Sequence, residues 1–122
     1  MNTNDLQKLR HLTNQLLSFN KQAFEKYATA KADDSYVADF YKDVKPFADE
    51  VFNTASNWKQ LALDWLKKEE IKYLYPQQIE DCYENLLIVS VKAFQKDTGR
   101  RRFNEMIKSI DYVLNTILSR IA

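Results

Sequence analysis

The residues of this sequence that could perform nucleophilic or metal chemistry are few. The chain has a single cysteine, Cys82, and a single histidine, His11. A Cys–His pair also needs an oxyanion hole to catalyse acyl transfer, and a chain with one glycine offers no glycine-rich loop for one. Zinc needs about four Cys or His ligands, and a di-iron bundle site needs Glu-x-x-His motifs. We therefore predict no enzyme activity, no metal and no cofactor, with Cys82 a buried thiol and His11 a partly exposed helix residue.

Two adjacent motifs deserve a chemical interpretation. Asp97-Thr98-Gly99 copies an aspartic-protease signature, but that chemistry needs a second carboxylate in register, so we interpret the tripeptide as a turn between helices. Arg100, Arg101 and Arg102 follow it at the start of a helix, where the macrodipole favours anions. These guanidiniums could bind an external anion. The favoured alternative is an intramolecular clamp with acidic residues between the first two helices (Asp33, Asp34, Asp39 and Asp43).

The elements that must position these residues are helices. One glycine and two prolines in 122 residues cannot form many tight hairpins, whose turns require positive φ. Apolar residues instead recur at helical spacing. This pattern predicts an all-α fold, an up-down-up-down four-helix bundle with one extra short helix between the first two. The predicted long helices cover about 4–31, 46–71, 76–96 and 100–121, the short helix covers 36–44, and Pro46 and Pro76 lie in first turns.

Each predicted helix has an apolar stripe that should face the core. In helix one it comprises Leu6, Leu9, Leu12, Leu16, Leu17, Ala23, Phe24 and Tyr27. In the short helix it comprises Val37, Phe40, Tyr41 and Val44. In helix two it comprises Phe47, Val51, Ala55, Trp58, Ala62 and Trp65. In helix three it comprises Ile79, Cys82, Tyr83, Leu86, Val89, Ala93 and Phe94, and in helix four Phe103, Met106, Ile107, Ile110, Val113, Leu114, Ile117 and Ile121.

Two further surfaces could bind a partner. In the link Lys72-Tyr73-Leu74-Tyr75-Pro76, the tyrosines are typical of interface anchors, although we favour the alternative that Tyr73 and Tyr75 cap the core. Leu87, Ile88 and Val91 widen the apolar surface of helix three beyond one stripe. Either the segment 36–44 covers these three residues, or they form a patch for a partner or a second copy.

Composition and charge narrow the class of protein. The 122 residues are expected to form a single helical-bundle domain, 1–122. The net charge of +1 gives no indication of nucleic-acid binding. The longest apolar run, Leu86–Val91, is too short to span a bilayer, so we expect no membrane insertion. The N-terminus lacks the pattern of a secretory signal, and a lone cysteine fits a reducing compartment, so we expect a cytoplasmic protein.

Residues from about 39 to 114 carry a resemblance to a known family. They include Asp39-Phe40, Lys45-Pro46, Trp58, Lys72-Tyr73, Gln78-Ile79-Glu80, Asn85, Arg102-Phe103, Ser109, Tyr112 and Leu114. In these residues and their spacing the chain resembles the YppE-like family, small bacterial helical-bundle proteins of unknown function. The resemblance implies a cytoplasmic protein of low-GC Gram-positive bacteria, and it implies no activity.

Elimination of catalytic sites favours a non-enzymatic interaction or adaptor protein, whose partner is an unidentified protein or a second copy. The candidate interaction residues are Lys72, Tyr73, Tyr75, Leu87, Ile88, Val91, Arg100, Arg101 and Arg102. The alternative is a ligand-binding bundle. Its ligand would occupy an interior pocket formed by Trp58, Trp65, Tyr83 and Phe94, or would be an anion at the three arginines.

Overall fold

The structure, a computed structural model, describes residues 1–121 and contains four α-helices joined by short links. Helix α1 spans Thr3–Ala32, α2 spans Lys45–Lys68, α3 spans Pro76–Lys92 and α4 spans Arg100–Arg120. Consecutive helices pack side by side, and α4 packs against α1 to close the ring. The predicted all-α bundle is confirmed. Ala122, the last residue of the predicted domain, lies outside the described residues.

Local side-chain chemistry sets where the helices begin. The Asn2 side chain accepts a hydrogen bond from the backbone N–H of Asp5 at 2.8 Å, which caps α1. Pro46 and Pro76 lie in the first turns of α2 and α3, as predicted, where a missing N–H costs nothing. Gly99 precedes α4 with φ of −61°, so it is an extended link residue and not a left-handed cap.

The core is one cluster of apolar side chains shared by all four helices. All six predicted stripe residues of α2 are buried, and so is every predicted stripe residue of α4 except the half-buried Met106. The stripe of α3 is also confirmed, except that Tyr83 is only half-buried. On α1 the prediction is wrong at Phe24, which is exposed, while the polar residues Thr13 and Asn20 are buried instead.

The segment between α1 and α2, residues 33–44, is not the predicted short α-helix. Only Phe40–Val44 is helical, as a single π-helical turn. Carboxylates of this segment accept hydrogen bonds from backbone N–H groups, which in an α-helix would bond to backbone carbonyls. Asp33 accepts from the N–H of Ser35, and Asp39 accepts from the N–H of Lys42. The segment therefore forms an ordered link in which Ala38 and Val44 pack partly against the core, while Val37, Phe40 and Tyr41 of the predicted short helix are exposed.

No helix within residues 1–121 is both long enough and apolar enough to cross a membrane.

A buried hydrogen-bond chain joins α1 to α2 and generates a prediction. Trp58 is fully buried, and its indole N–H donates to the hydroxyl of Thr13 at 3.2 Å, which donates to the Leu9 carbonyl at 2.7 Å. Thr13→Val removes the acceptor and leaves the indole N–H unpaired in the core. We expect the free energy of unfolding to fall by about 1–3 kcal/mol in urea denaturation.

Thr29→Val is the matched control, because Thr29 is exposed and bonds only the Glu25 carbonyl of its own helix. It should change the free energy of unfolding by less than about 0.5 kcal/mol. Equal effects of the two substitutions would show that the indole does not depend on Thr13.

Candidate interaction surfaces at the two ends of the bundle

The two residues considered for nucleophilic chemistry are in unrelated environments. His11 is exposed on α1. Cys82 is buried on α3, as predicted, and this burial, with a smaller contribution from the charge of Asp111, raises the pKa of its thiol to about 12. Within residues 1–121 no three His, Cys, Asp or Glu side chains are grouped so that they could hold a metal ion.

The residues suggested for an interior aromatic pocket do not enclose one cavity. Trp58 and Trp65 are fully buried, and neither lines the grooves that Phe94 and Tyr83 line. Phe94 is buried and forms part of the wall of two surface grooves. Tyr83 lines a separate groove, with its hydroxyl 3.3 Å from that of Ser56.

That separate groove, about 760 Å³, runs along the outer side of α2 and is lined about equally by polar and apolar surface. Lys59 crosses it to form an ion pair with Glu80 at 2.9 Å and lies 4.6 Å from the centre of the Tyr83 ring. The hydrogen bond to Glu80 raises the pKa of Lys59, which is therefore a charged structural link between α2 and α3. It is not poised to act as a base.

A more apolar groove lies at the end of the bundle where α1 is linked to α2. We call it the link groove. It has a volume of about 470 Å³ and is lined by Tyr36, Val37, Ala38, Phe40, Val44, Val91, Phe94 and Gln95. Val37 is 86% exposed, Phe40 is 57% exposed, and Tyr41, whose ring packs edge-on against Phe40, is 77% exposed. Apolar side chains of the link thus point into solvent instead of filling the core.

The link groove accounts for part of the wide apolar surface of α3. Val91 lines the groove beside link residues and is still partly exposed, while Leu87 is half-buried. Ile88 is exposed and does not line the groove. The link therefore reaches the last turn of α3 and leaves an exposed apolar residue next to it.

The predicted clamp between the arginines and the acidic link is not formed. Among residues 1–121, Arg100 and Arg102 make no ion pair, and Arg101 pairs with Glu105 of its own helix at 3.2 Å. Both charged segments do lie at the same end, because Lys96 donates to the backbone carbonyl of Asp34 at 2.5 Å. Arg100 instead lines the groove between α1 and α4.

At the opposite end, the link between α2 and α3 exposes two tyrosines. Tyr73 is 75% exposed and Tyr75 is 59% exposed, so the favoured prediction that they cap the core is wrong. Leu74 between them is buried instead. Tyr73 has φ of +65°, a left-handed conformation that costs a non-glycine residue about 1–2 kcal/mol. This geometry directs Leu74 inward and leaves Tyr73 in solvent. Arg120 fixes the link by donating to the Lys72 carbonyl at 2.7 Å.

Comparison with known proteins now identifies the family. Residues 13–121 match the model of a bacterial domain of unknown function, DUF1798. The chain belongs to this family. It is 26% identical over 116 residues to the uncharacterised protein YppE of Bacillus subtilis, covering 95% of this chain and 94% of YppE. The resemblance seen in the sequence is thereby confirmed.

Solved structures of similar proteins have the same fold. A protein of unknown function from Listeria innocua is 29% identical, with a TM-score of 0.90 over 96% of this chain and 93% of its own. The crystal structure of YppE from Bacillus subtilis is 25% identical, with a TM-score of 0.88 over 94% of this chain and 93% of its own. A DUF1798 domain from Staphylococcus aureus, 24% identical, has a TM-score of 0.81 over 93% of this chain and 96% of its own.

The conformation of Tyr73 generates a stability prediction. Tyr73→Gly relieves the strain of the left-handed backbone, which stabilises the folded state. Glycine also gives the unfolded chain more conformational freedom, which offsets part of this gain. We expect a net increase in the free energy of unfolding of about 0.5–1 kcal/mol. Tyr73→Ala is the control, because it removes the ring and keeps the Cβ, and it should leave stability unchanged. An equal gain in both variants would assign the effect to the exposed ring.

The environment of Cys82 generates a reactivity prediction. The thiolate is the reactive form, and a buried thiol with a pKa of about 12 remains protonated at pH 8. A thiol reagent such as DTNB should therefore leave the native protein unlabelled and modify one thiol per chain in denaturant. Rapid labelling of the native protein at pH 8 would contradict this assignment of Cys82 as an inert core residue.

Proposed function

We propose that this protein is a non-enzymatic interaction module that binds another protein chain at the link groove. The observation that supports the proposal is the concentration of exposed apolar side chains in and beside this groove, namely Val37, Phe40, Tyr41 and Val91. Isolated exposed apolar residues are ordinary, but a contiguous group is typical of an interaction site. Aromatic residues at such a site are common anchors of protein–protein binding.

The link also holds these side chains in place before binding. The π-helical turn Phe40–Val44 is closed by a hydrogen bond from the Val44 N–H to the Asp39 carbonyl at 3.3 Å. The Asp43 carboxylate accepts from the Asp39 N–H at 2.9 Å, and Lys96 bonds the Asp34 carbonyl from the other side. Ordering a link before binding lowers the entropy cost of association, which favours recognition.

The shape and lining of the link groove favour a protein ligand over a small molecule. The groove is open and largely apolar, and its walls come from the α1–α2 link, the last turn of α3 and the residues that follow it. Small-molecule sites usually enclose most of the ligand and add converging polar groups. An open apolar groove instead suits side chains that project from a partner surface. A cytoplasmic location belongs to the same proposal and is supported by the single, unpaired thiol of Cys82.

Site-specific photo-crosslinking tests the proposal. A photo-reactive amino acid replaces Phe40 at the link groove and, in a matched control, Asn115, which is exposed on α4. After irradiation of the bacterial host cells, we expect a covalent protein adduct from position 40 and none from position 115. The adduct mass distinguishes a second copy from a different protein. Absence of any adduct from position 40, with the chain folded and expressed, would overturn the proposal.

A further inference from the structure

The acidic side chains at the link-groove end form no ion pair within residues 1–121, and the nearest basic group, Lys96, bonds the backbone carbonyl of Asp34. These side chains, Asp33, Asp34, Asp39 and Asp43, are exposed. The Ser35 hydroxyl and N–H donate to Asp33, and these hydrogen bonds lower the pKa of that carboxyl. The link therefore presents negative charge in solvent, alongside its apolar side chains.

The opposite charge lies at the same end and is also unneutralised. Arg100 and Arg102 are exposed and unpaired in the described part of the chain, and α4 has no acidic residue in its first turn. Three arginines at a helix N-terminus oppose the macrodipole. The Arg101–Glu105 pair lies on the surface and neutralises only one of the three charges.

The link groove and the arginines are close enough to belong to one interface. Gln95 lines the groove, and Arg100 follows five residues later, so their Cα atoms are at most about 18 Å apart. The intervening chain is shorter than this limit, since the Thr98 N–H bonds the Gln95 carbonyl in a turn. A stable interface buries about 800 Å² on each partner, a patch about 30 Å across. Such a patch can include the groove, the acidic link and the arginines.

These charges make the end of the bundle complementary to itself. In a two-fold dimer the same patch is used by both copies, so an acidic segment on one side and a basic segment on the other meet twice. A foreign partner would have to supply both signs in the same arrangement, whereas a second copy of this chain has them already.

We infer that the occupant of the link groove is a second copy of this chain, in a two-fold dimer. The exposed apolar residues of the two grooves pack together at the centre. Arg100 and Arg102 of each copy face the acidic link of the other at the rim. The apolar centre supplies most of the affinity and the charged rim sets the register, as in many protein interfaces. This inference rests on the proposed function, because it names the partner at the same groove.

Charge reversal at the two segments gives a direct test by light scattering. The wild type should have twice the 14.4 kDa mass of one chain at high concentration, and should dissociate more readily when salt rises from about 0.1 M to about 1 M. The two double variants are Arg100→Glu/Arg102→Glu and Asp33→Lys/Asp34→Lys. In a dimer of either variant, side chains of like charge on the two copies face each other at the rim. Each should raise the dimer Kd by more than about tenfold.

The decisive experiment mixes the two charge-reversed variants. In a heterodimer that contains one of each, opposite charges again face each other at both rims. We expect the equimolar mixture to regain the dimer mass. Lys8→Glu/Lys67→Glu, an equal charge change on exposed residues of α1 and α2 that do not line the link groove, is the matched control and should leave the dimer intact. Circular dichroism of each variant verifies that the helices are retained.

Three outcomes would overturn the inference. The wild type could remain at the mass of one chain up to about 1 mM, far above the Kd of a specific dimer. The mixture could fail to recover the dimer mass. Alternatively, inorganic phosphate could saturate a site that Arg100→Glu/Arg102→Glu removes, which would assign the arginines to a free anion. The proposed function is judged separately: an adduct from position 40 to a different protein would preserve it, and no adduct at all would reject it.

Discussion

The structure depends on burial of the α2 stripe against α1 and α3. Trp58 lies at its centre, fully buried, and Thr13 accepts the hydrogen bond of its indole N–H. Six residues of α2 at helical spacing exclude water along the full length of the helix. Because α2 lies between α1 and α3 in the ring, this one stripe fixes which faces of its two neighbours turn inward. The interior is thereby filled, which leaves the two ends of the bundle as the places where binding surfaces can form.

Different contacts fix the backbone at the two ends of the bundle. At one end the α3–α4 link is held down by Tyr27, whose hydroxyl donates to the Thr98 carbonyl and whose ring stacks on Phe103 at 4.1 Å. Lys96 then secures the acidic link beside it. At the other end a single left-handed residue, Tyr73, allows Leu74 to enter the core. In both cases the backbone is fixed by a few contacts, and the apolar side chains next to those contacts are displayed to solvent.

The function proposed for the protein rests on the side chains exposed at these ends, since its family is one of unknown function. Cys82 is a core residue with a strongly raised pKa, and His11 is exposed on another helix, so the two do not form a catalytic pair. The groove at the acidic link has the exposed aromatic residues that protein interfaces use as anchors. Unpaired acidic and basic side chains surround this groove. The inferred partner, a second copy of the chain, carries the same two charged segments and could pair with both.

The sequence by itself determined the helices and most of the core, because apolar spacing, first-turn prolines and the scarcity of glycine are local signals. The stripes of α2 and α4 were predictable almost residue by residue. The tertiary structure alone decided what happens in the links. Val37 and Phe40 have an apolar pattern that resembles a buried helix face, yet the segment forms only one π-helical turn, in which the carboxylates of Asp39 and Asp43 accept hydrogen bonds from backbone N–H groups. The positive φ of Tyr73 and the absence of the arginine clamp are likewise features of the folded links that no local pattern encodes.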